Sequence, residues 1–376
     1  MSADGVLNVS KRYERNGVHA MSCRLCIRWA CLLVLSALVS AVLRADDVQI
    51  TGPYTHENLA IFLIHSPRNQ GNRQLLTLQE AIDQKKTVVY ETGNVNELSI
   101  ENVSSERVYL QSGDIVKGGQ QDRVLTTDFI LPAHSGKIPI ASFCVERGRW
   151  SKRGTEAADR FEASNQVVAG KSLKMAVRAK QAQARIWDQV ASTQRELAVA
   201  TQAGAGSGSG GGVGTGAFSR TDIGGGVVGG VVPPSASMQL ALESKPVVAA
   251  TQAYQNLLKI VDGKNDIVGF AYAINGKLSS ADAYASNDLF RRMWPKLLKA
   301  SAVEALAERP TAKASSPPDN ASVRTALADA DLGRTSTTDV TDHTSVVKKE
   351  TDKLLVFETR ERAGGNQWVH KSYIAK

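Results

Sequence analysis

Short apolar runs separated by turn residues dominate the chain from Asp46 to about Arg153, a pattern that predicts strands. Residues 59–64 are continuously apolar, as expected of a buried strand. Residues 76–82 read as one short helix, with Thr77 placed to cap it and Glu80 three positions on. Further strands are predicted at 87–91, 98–102, 108–111 and 124–131, with Gly113, Asp114, Gly118 and Gly119 as turn residues between them. Residues 138–147 alternate, placing Ala141, Phe143 and Val145 on one face and Ser142, Cys144 and Glu146 on the other.

The period then changes. Apolar residues in 172–202 recur at three- and four-residue steps, predicting one long amphipathic helix against the sheet. Residues 203–237 hold 13 of the 31 glycines and read as a flexible insertion that buries too little surface to offset its ordering. A helix is expected around 252–261, then a strand at 267–274 and a hairpin turn at Asn275 and Gly276. Leu289, Phe290, Met293, Leu297 and Leu298 mark another helix, kinked or divided by Pro295. Residues 309–345 are polar and read as a second, disordered insertion, and a hairpin at 354–374 closes the chain. The expected fold is α+β, a single domain over 46–376. It has a mainly antiparallel sheet or open barrel, with a few helices packed on one side.

Charge and cysteine usage refine this picture. The chain of 376 residues is 42% hydrophobic and carries a formal charge of +8. Residues 1–45 hold six Lys or Arg against two acids, leaving 39 basic and 35 acidic side chains elsewhere. Those charges are interspersed, so no nucleic-acid footprint is expected. Arg24 and Arg28 precede an apolar stretch that ends before Ala45, the layout of a secretory signal peptide. The stretch is shorter than the roughly 20 residues of a spanning helix, so cleavage is favoured over a retained anchor. The expectation is therefore an exported protein, periplasmic or extracellular, with no stable membrane span. Met21 offers a second start. Cys23, Cys26 and Cys31 would leave with the leader, and only Cys144 would remain.

Several groupings carry candidate chemistry. Gly170, Lys171 and Ser172 end like a phosphate-cradling loop, but Asn165 stands where that motif needs glycine. The six histidines are scattered without metal-ligand spacing, and no motif calls for a metal or cofactor. In 113–123, adjacent glycines let backbone N–H groups converge on an anion. Asp114, Lys117, Gly118, Gly119, Gln120, Asp122 and Arg123 are the candidate ligand residues there. The alternative is a tight turn with Asp122 and Arg123 paired for structure. Arg149 and Trp150 suit an anion and a planar ring, and equally suit a strand end. Cys144 with Glu146 is a candidate nucleophile and acid/base partner, against the alternative of a buried apolar thiol. His370 is a candidate general base or a hydrogen-bonded structural group.

These groupings, in this order, resemble an uncharacterised family, the ADP-ribosylglycohydrolase and rhodanese-phosphatase-superfamily-associated protein domain. The resemblance rests on Ser112-Gly-Asp-Ile-Val-Lys-Gly-Gly-Gln-Gln-Asp-Arg123 and on Ile138-Pro-Ile-Ala-Ser-Phe-Cys-Val-Glu-Arg-Gly-Arg-Trp150. The Asn275 and Gly276 hairpin and the segments 289–298 and 368–373 add to it. The resemblance implies a role near NAD-derived or ADP-ribosylated molecules, with no reaction to carry over. Three expectations follow. The protein binds or processes an ADP-ribose-like or other small phosphorylated ligand, or it is a non-catalytic exported scaffold or interaction module, or it is a Cys144-dependent hydrolase.

Overall fold

The computed structural model describes residues 48–67, 75–205, 236–309, 315–362 and 365–376, the side chains of 165–167 and 203–205 excepted. The expected leader (1–45) and most of the glycine-rich insertion lie outside the described residues.

Strand β2 (Leu59–His65) is buried nearly end to end because it faces two cores. Leu59, Ile61 and Leu63 join one, while Ala60, Phe62 and Ile64 join the other. It pairs with β1 (Gln49–His56) and β12 (Ile267–Ile274), and β12 turns into β13 (Lys277–Tyr284). Asn275 and Gly276 make that turn with φ of 51° and 75°, the left-handed pair that matches strand twist. The sheet continues through β17 (Gln367–Ala375), β16 (Leu354–Glu361), β15 (Thr344–Glu350) and β14 (Arg334–Thr341), giving eight antiparallel strands.

A closed barrel stands beside this sheet. Its strand order is β10 (Gly136–Cys144), β5 (Glu97–Asn102), β4 (Thr87–Glu91), β11 (Arg160–Val168), β7 (Asp114–Gly118) and β8 (Arg123–Leu125). Val89, Leu98, Ile100, Val116, Leu125 and Phe161 belong to its core. A small sheet of β3 (Leu75–Thr77), β6 (Arg107–Leu110) and β9 (Phe129–Leu131) adjoins it. Helix α1 (Leu78–Asp83) follows β3, with the anticipated capping box between Thr77 and Glu80. The run 124–131 is not the single strand its apolar residues predict. β8 and β9 belong to different sheets, and Thr126, Thr127 and Asp128 make the crossing.

The helical stretch 172–202 is likewise divided, into α2 (Lys171–Arg178) and α3 (Gln183–Ala205), with Lys180 at φ 49° in the break. Helices α4 (Met238–Glu243) and α5 (Lys245–Gln252) and a 3-10 helix (Ala253–Val261) follow. Helix α6 (Asn287–Glu308), capped by Ser286, runs through Pro295. A mid-helix proline costs about 3 kcal/mol. Burial of Phe290, Met293, Trp294, Leu297 and Leu298 along the same helix offsets that cost. Among the described residues no helix is long and apolar enough to cross a membrane.

The segment 309–345, expected to be disordered, departs most from the sequence reading. It holds α7 (Asn320–Asp331) and the whole of β14. Val323, Leu327 and Ala330 recur at helical spacing and pack with Phe62, Val268 and Val356, on the sheet face opposite the other helices. Helices therefore cover both faces. The Asp319 side chain accepts from Ser322 N at 2.6 Å and caps α7. Limited proteolysis of the native protein is therefore expected to spare peptide bonds in 320–341. Leu327→Ala is expected to cost roughly 2–4 kcal/mol in chemical denaturation. Cleavage within that stretch, or a neutral substitution, would contradict the packing of α7.

Candidate functional site

His370 on β17 is fully buried between two aspartates. Its Nδ1 lies 2.6 Å from Asp128 Oδ2, and its Nε2 lies 3.0 Å from Asp282 Oδ1. A neutral imidazole has one N–H, so one ring nitrogen would then oppose a carboxylate lone pair. The ring is therefore an imidazolium. Burial alone pulls the His370 pKa down, but attraction to Asp128 and Asp282 outweighs it and the net shift is upward. Burial opposes ionisation of both aspartates, yet both are held well below the usual carboxylate range. Arg178 and His370 act on Asp128, and Lys174 and His370 on Asp282.

Helix α2 supplies two of these cations from positions four residues apart. Arg178 Nη2 donates to Asp128 Oδ1 at 2.8 Å, and Lys174 Nζ donates to Asp282 Oδ2 at 3.3 Å. Ser112 N, Thr359 Oγ1 and the Tyr109 hydroxyl also donate to Asp128, at 2.6, 2.8 and 3.4 Å. Tyr284 stacks on the imidazolium, with ring centres 4.6 Å apart, and donates to Gln111 Oε1 at 2.6 Å. Gln111 N donates to Asp114 Oδ2 at 3.0 Å, and Asp114 Oδ1 meets Lys296 Nζ at 3.2 Å. Asp114, a candidate ligand residue, thus lies in this buried cluster.

Apart from Lys117, the remaining motif residues gather at one end of the barrel, where the backbone amides of the glycine turn are already engaged. Gly118 N donates to Asp122 Oδ1 at 3.1 Å, and Gln120 N donates to Glu91 Oε2 at 3.1 Å. Gly119 N donates to the carbonyls of Ala157 and Arg160. Gly119 has φ 51°, and a Cβ there would lie 2.3 Å from Phe161 Cζ, so the ring itself requires glycine. Asp122 accepts from Ser237 Oγ at 2.7 Å, from Arg153 Nη1 at 3.0 Å and from Arg149 Nη2 at 3.4 Å. Glu146 accepts from Arg149 Nε at 2.7 Å and from Arg153 Nη1 at 3.4 Å.

Arg123 is fully buried and faces Glu91, not Asp122, at 3.6 Å, with half-exposed Trp150 5.9 Å from its guanidinium. Cys144 is buried, its Sγ donates to Glu146 O at 2.6 Å, and burial pushes its pKa up. Lys117 points away from this cluster to Glu243, 3.3 Å distant. At the start of α2, Lys171 N donates to Glu304 Oε2 at 2.9 Å, so a carboxylate of the chain occupies the place a phosphate would take.

Sequence spacing brings the 118–123 and 144–150 residues together. It misses Arg153, Ser237 and Glu91, and the whole set of Asp128, Asp282, Lys174 and Arg178. An acid isolated in the apolar run 124–131 was the available sign of Asp128.

Two open cavities border these clusters. A groove of about 400 Å³ lies between the barrel strands β8 and β10 and the sheet arm β14–β16. Phe129, Ile140, Val346 and Phe357 line it with the hydroxyls of Thr126, Thr127, Ser336, Thr338 and Thr341. Its charged side chains are Arg178, Lys180, Lys348 and Asp339. The Arg178 guanidinium sits 4.5 Å over the Phe357 ring, and its buried Nε has no acceptor. Lys348 pairs with Glu350, and Asp339 with Arg362, each at 2.8 Å. The second cavity, of about 480 Å³, lies among α1, β4, β7 and β11.

Barrel, flanking sheets and buried ion cluster together define an α+β domain that spans nearly the whole chain. A family model for the ARG and Rhodanese-Phosphatase-superfamily-associated Protein domain matches residues 47–374, and the chain belongs to that family. No curated protein and no solved structure matches it.

His370→Gln removes the central cation and leaves two buried carboxylates short of charge, so a loss of about 3–5 kcal/mol is expected in denaturant titration. The pH dependence has two arms. The histidine contribution is complete below its unfolded pKa of about 6.5 and is lost as pH rises through the higher folded value. The aspartate contribution is complete above an unfolded value near 3.8 and is lost as pH falls toward the depressed folded values. Melting temperatures across pH should show both arms, with the alkaline arm reduced in His370→Gln. An undiminished alkaline arm would assign it to another group.

Proposed function

We propose that the domain binds a small phosphorylated molecule, of ADP-ribose type, in the groove between barrel and sheet arm, and that it does so without catalysing a reaction. The observation that carries this reading is Arg178. Its side chain is fixed on two sides, by Asp128 and by the Phe357 ring, and it borders the groove, its buried Nε having no acceptor. A guanidinium held in place loses little freedom when an oxyanion arrives, which favours binding. Lys180 and Lys348 add charge, threonine hydroxyls add hydrogen bonds, and Phe129 and Phe357 offer surface to a ring. The family's name supports the ADP-ribose type by association alone.

The candidate catalytic groups are all engaged by the chain itself. The Cys144 thiol is buried and donates to a carbonyl, Glu146 is held by two arginines, and both nitrogens of His370 face carboxylates. None is free to take a proton from a ligand.

Thermal shift of the purified protein with ADP-ribose, AMP and inorganic phosphate tests the proposal. A ligand at a hundredfold excess over its Kd stabilises by about 2.7 kcal/mol. ADP-ribose is expected to raise the melting temperature. Lys180→Ala combined with Lys348→Ala, at the groove rim, is expected to weaken binding about tenfold, or about 1.4 kcal/mol, without unfolding the protein. If none of the three ligands shifts the wild type, an exported interaction module without a small ligand becomes the better account. Binding undisturbed by the double substitution would place the ligand elsewhere.

A further inference from the structure

We propose that Lys299 is a reactive amine that captures small aliphatic aldehydes as an imine, in a cavity separate from the groove. That cavity, of about 70 Å³, lies between α6 and the stretch formed by α4, α5 and the 3-10 helix. Leu242, Val248, Leu258, Leu298 and Val303 make its walls mainly apolar, and Lys299 is the single charged residue on them. Lys299 is half-buried. Among the described residues its ammonium meets no carboxylate and no hydrogen-bond acceptor, and its nitrogen is not enclosed. The one charge acting on it is Lys296, a turn earlier on α6, and Lys296 is itself paired with Asp114 at 3.2 Å.

A lysine amine becomes nucleophilic when an apolar pocket strips its solvent or a second cation stands beside it. Lys299 has both. Burial among apolar side chains, and then the Lys296 ammonium, pull its pKa below the usual lysine value. More of the free amine is therefore present at neutral pH than on an ordinary surface lysine. The walls select the electrophile. Thr251, Gln252 and Gln255 are bonded to the helix or to each other, so a charged molecule would lose hydration there without repayment. The volume has room for roughly five heavy atoms, enough for a short aldehyde and too little for a sugar phosphate or nucleotide. The amine adds to the carbonyl carbon and forms the C–N bond. The two hydrogens of the amine then leave with the carbonyl oxygen as one water, so no oxidant or reductant is required. This capture is stoichiometric and goes beyond the ligand reading of the groove.

Labelling of the intact protein with butanal and cyanoborohydride at neutral pH, read by peptide mass mapping, tests the inference. Formaldehyde, small enough to reach every exposed lysine, is the control. Lys299 is expected to take up butanal about tenfold faster than the median lysine. Val248→Trp, at the exposed mouth of the cavity, should abolish that preference while formaldehyde labelling and the melting temperature hold. Lys299→Met should remove the fast adduct and leave the protein at least as stable, because no ion pair is lost. The Lys180→Ala/Lys348→Ala protein should label at Lys299 unchanged, which separates this site from the groove. Butanal uptake at Lys299 no faster than at the median lysine would overturn the inference. Fast uptake that Val248→Trp leaves intact would overturn it too.

Discussion

An imidazolium clamped between two buried carboxylates sets how the parts of this domain meet. Asp128 comes from the crossing between barrel and small sheet, His370 and Asp282 from the large sheet, and Lys174 and Arg178 from α2. Each of these charges would cost several kcal/mol if buried alone, whereas the assembled set satisfies them mutually. A shift of the barrel against the sheet by one residue would leave at least one charge unmatched. The cluster therefore acts on specificity of packing more than on net stability, since well-fitted apolar side chains could serve the latter as well. Lys296 and Asp114 extend the same logic to α6 and β7.

The family motif obeys a different economy of charge. Its glycines make a turn whose amides look out on anions, and the anions are the chain's own Asp122 and Glu91. Arg149 and Arg153 each reach both Asp122 and Glu146, closing a four-membered ionic network at the barrel end. Such a network holds the 146–156 loop against the glycine turn. Side chains that read as ligand-binding in one dimension are, in three, largely each other's ligands.

Much of the architecture was legible in residue order, because alternation and helical period report burial directly. Residues 59–64, 267–274 and 354–374 form the strands their patterns predict. What was lost has identifiable physical causes. The apolar run 124–131 looks like one strand because pairing partners, not residue types, cut it between two sheets. The polar composition of 309–345 concealed Val323, Leu327 and Ala330, which bury one face of a capped helix against the sheet. The sites fared worse. His370 and Asp128 stand 242 residues apart, so no local spacing joins them. The cluster at 118–150 was recoverable because strand pairing of β8 with β10 brings its two segments side by side.

The two cavities differ in how completely their walls are neutralised, and that difference follows from the clamp. Arg178 is held by an aspartate whose negative charge is already shared with His370, so the pair does not cancel as a simple ion pair would. With Lys180 unpaired among the described residues beside it, the groove keeps a positive bias. The cavity beside the glycine turn has cations and carboxylates in near balance. The single carboxylate of the groove, Asp339, is taken up by Arg362, whereas Glu156 and Glu162 stand among the cations of the other cavity. Charge balance, more than the motif that identifies the family, thus separates the two cavities.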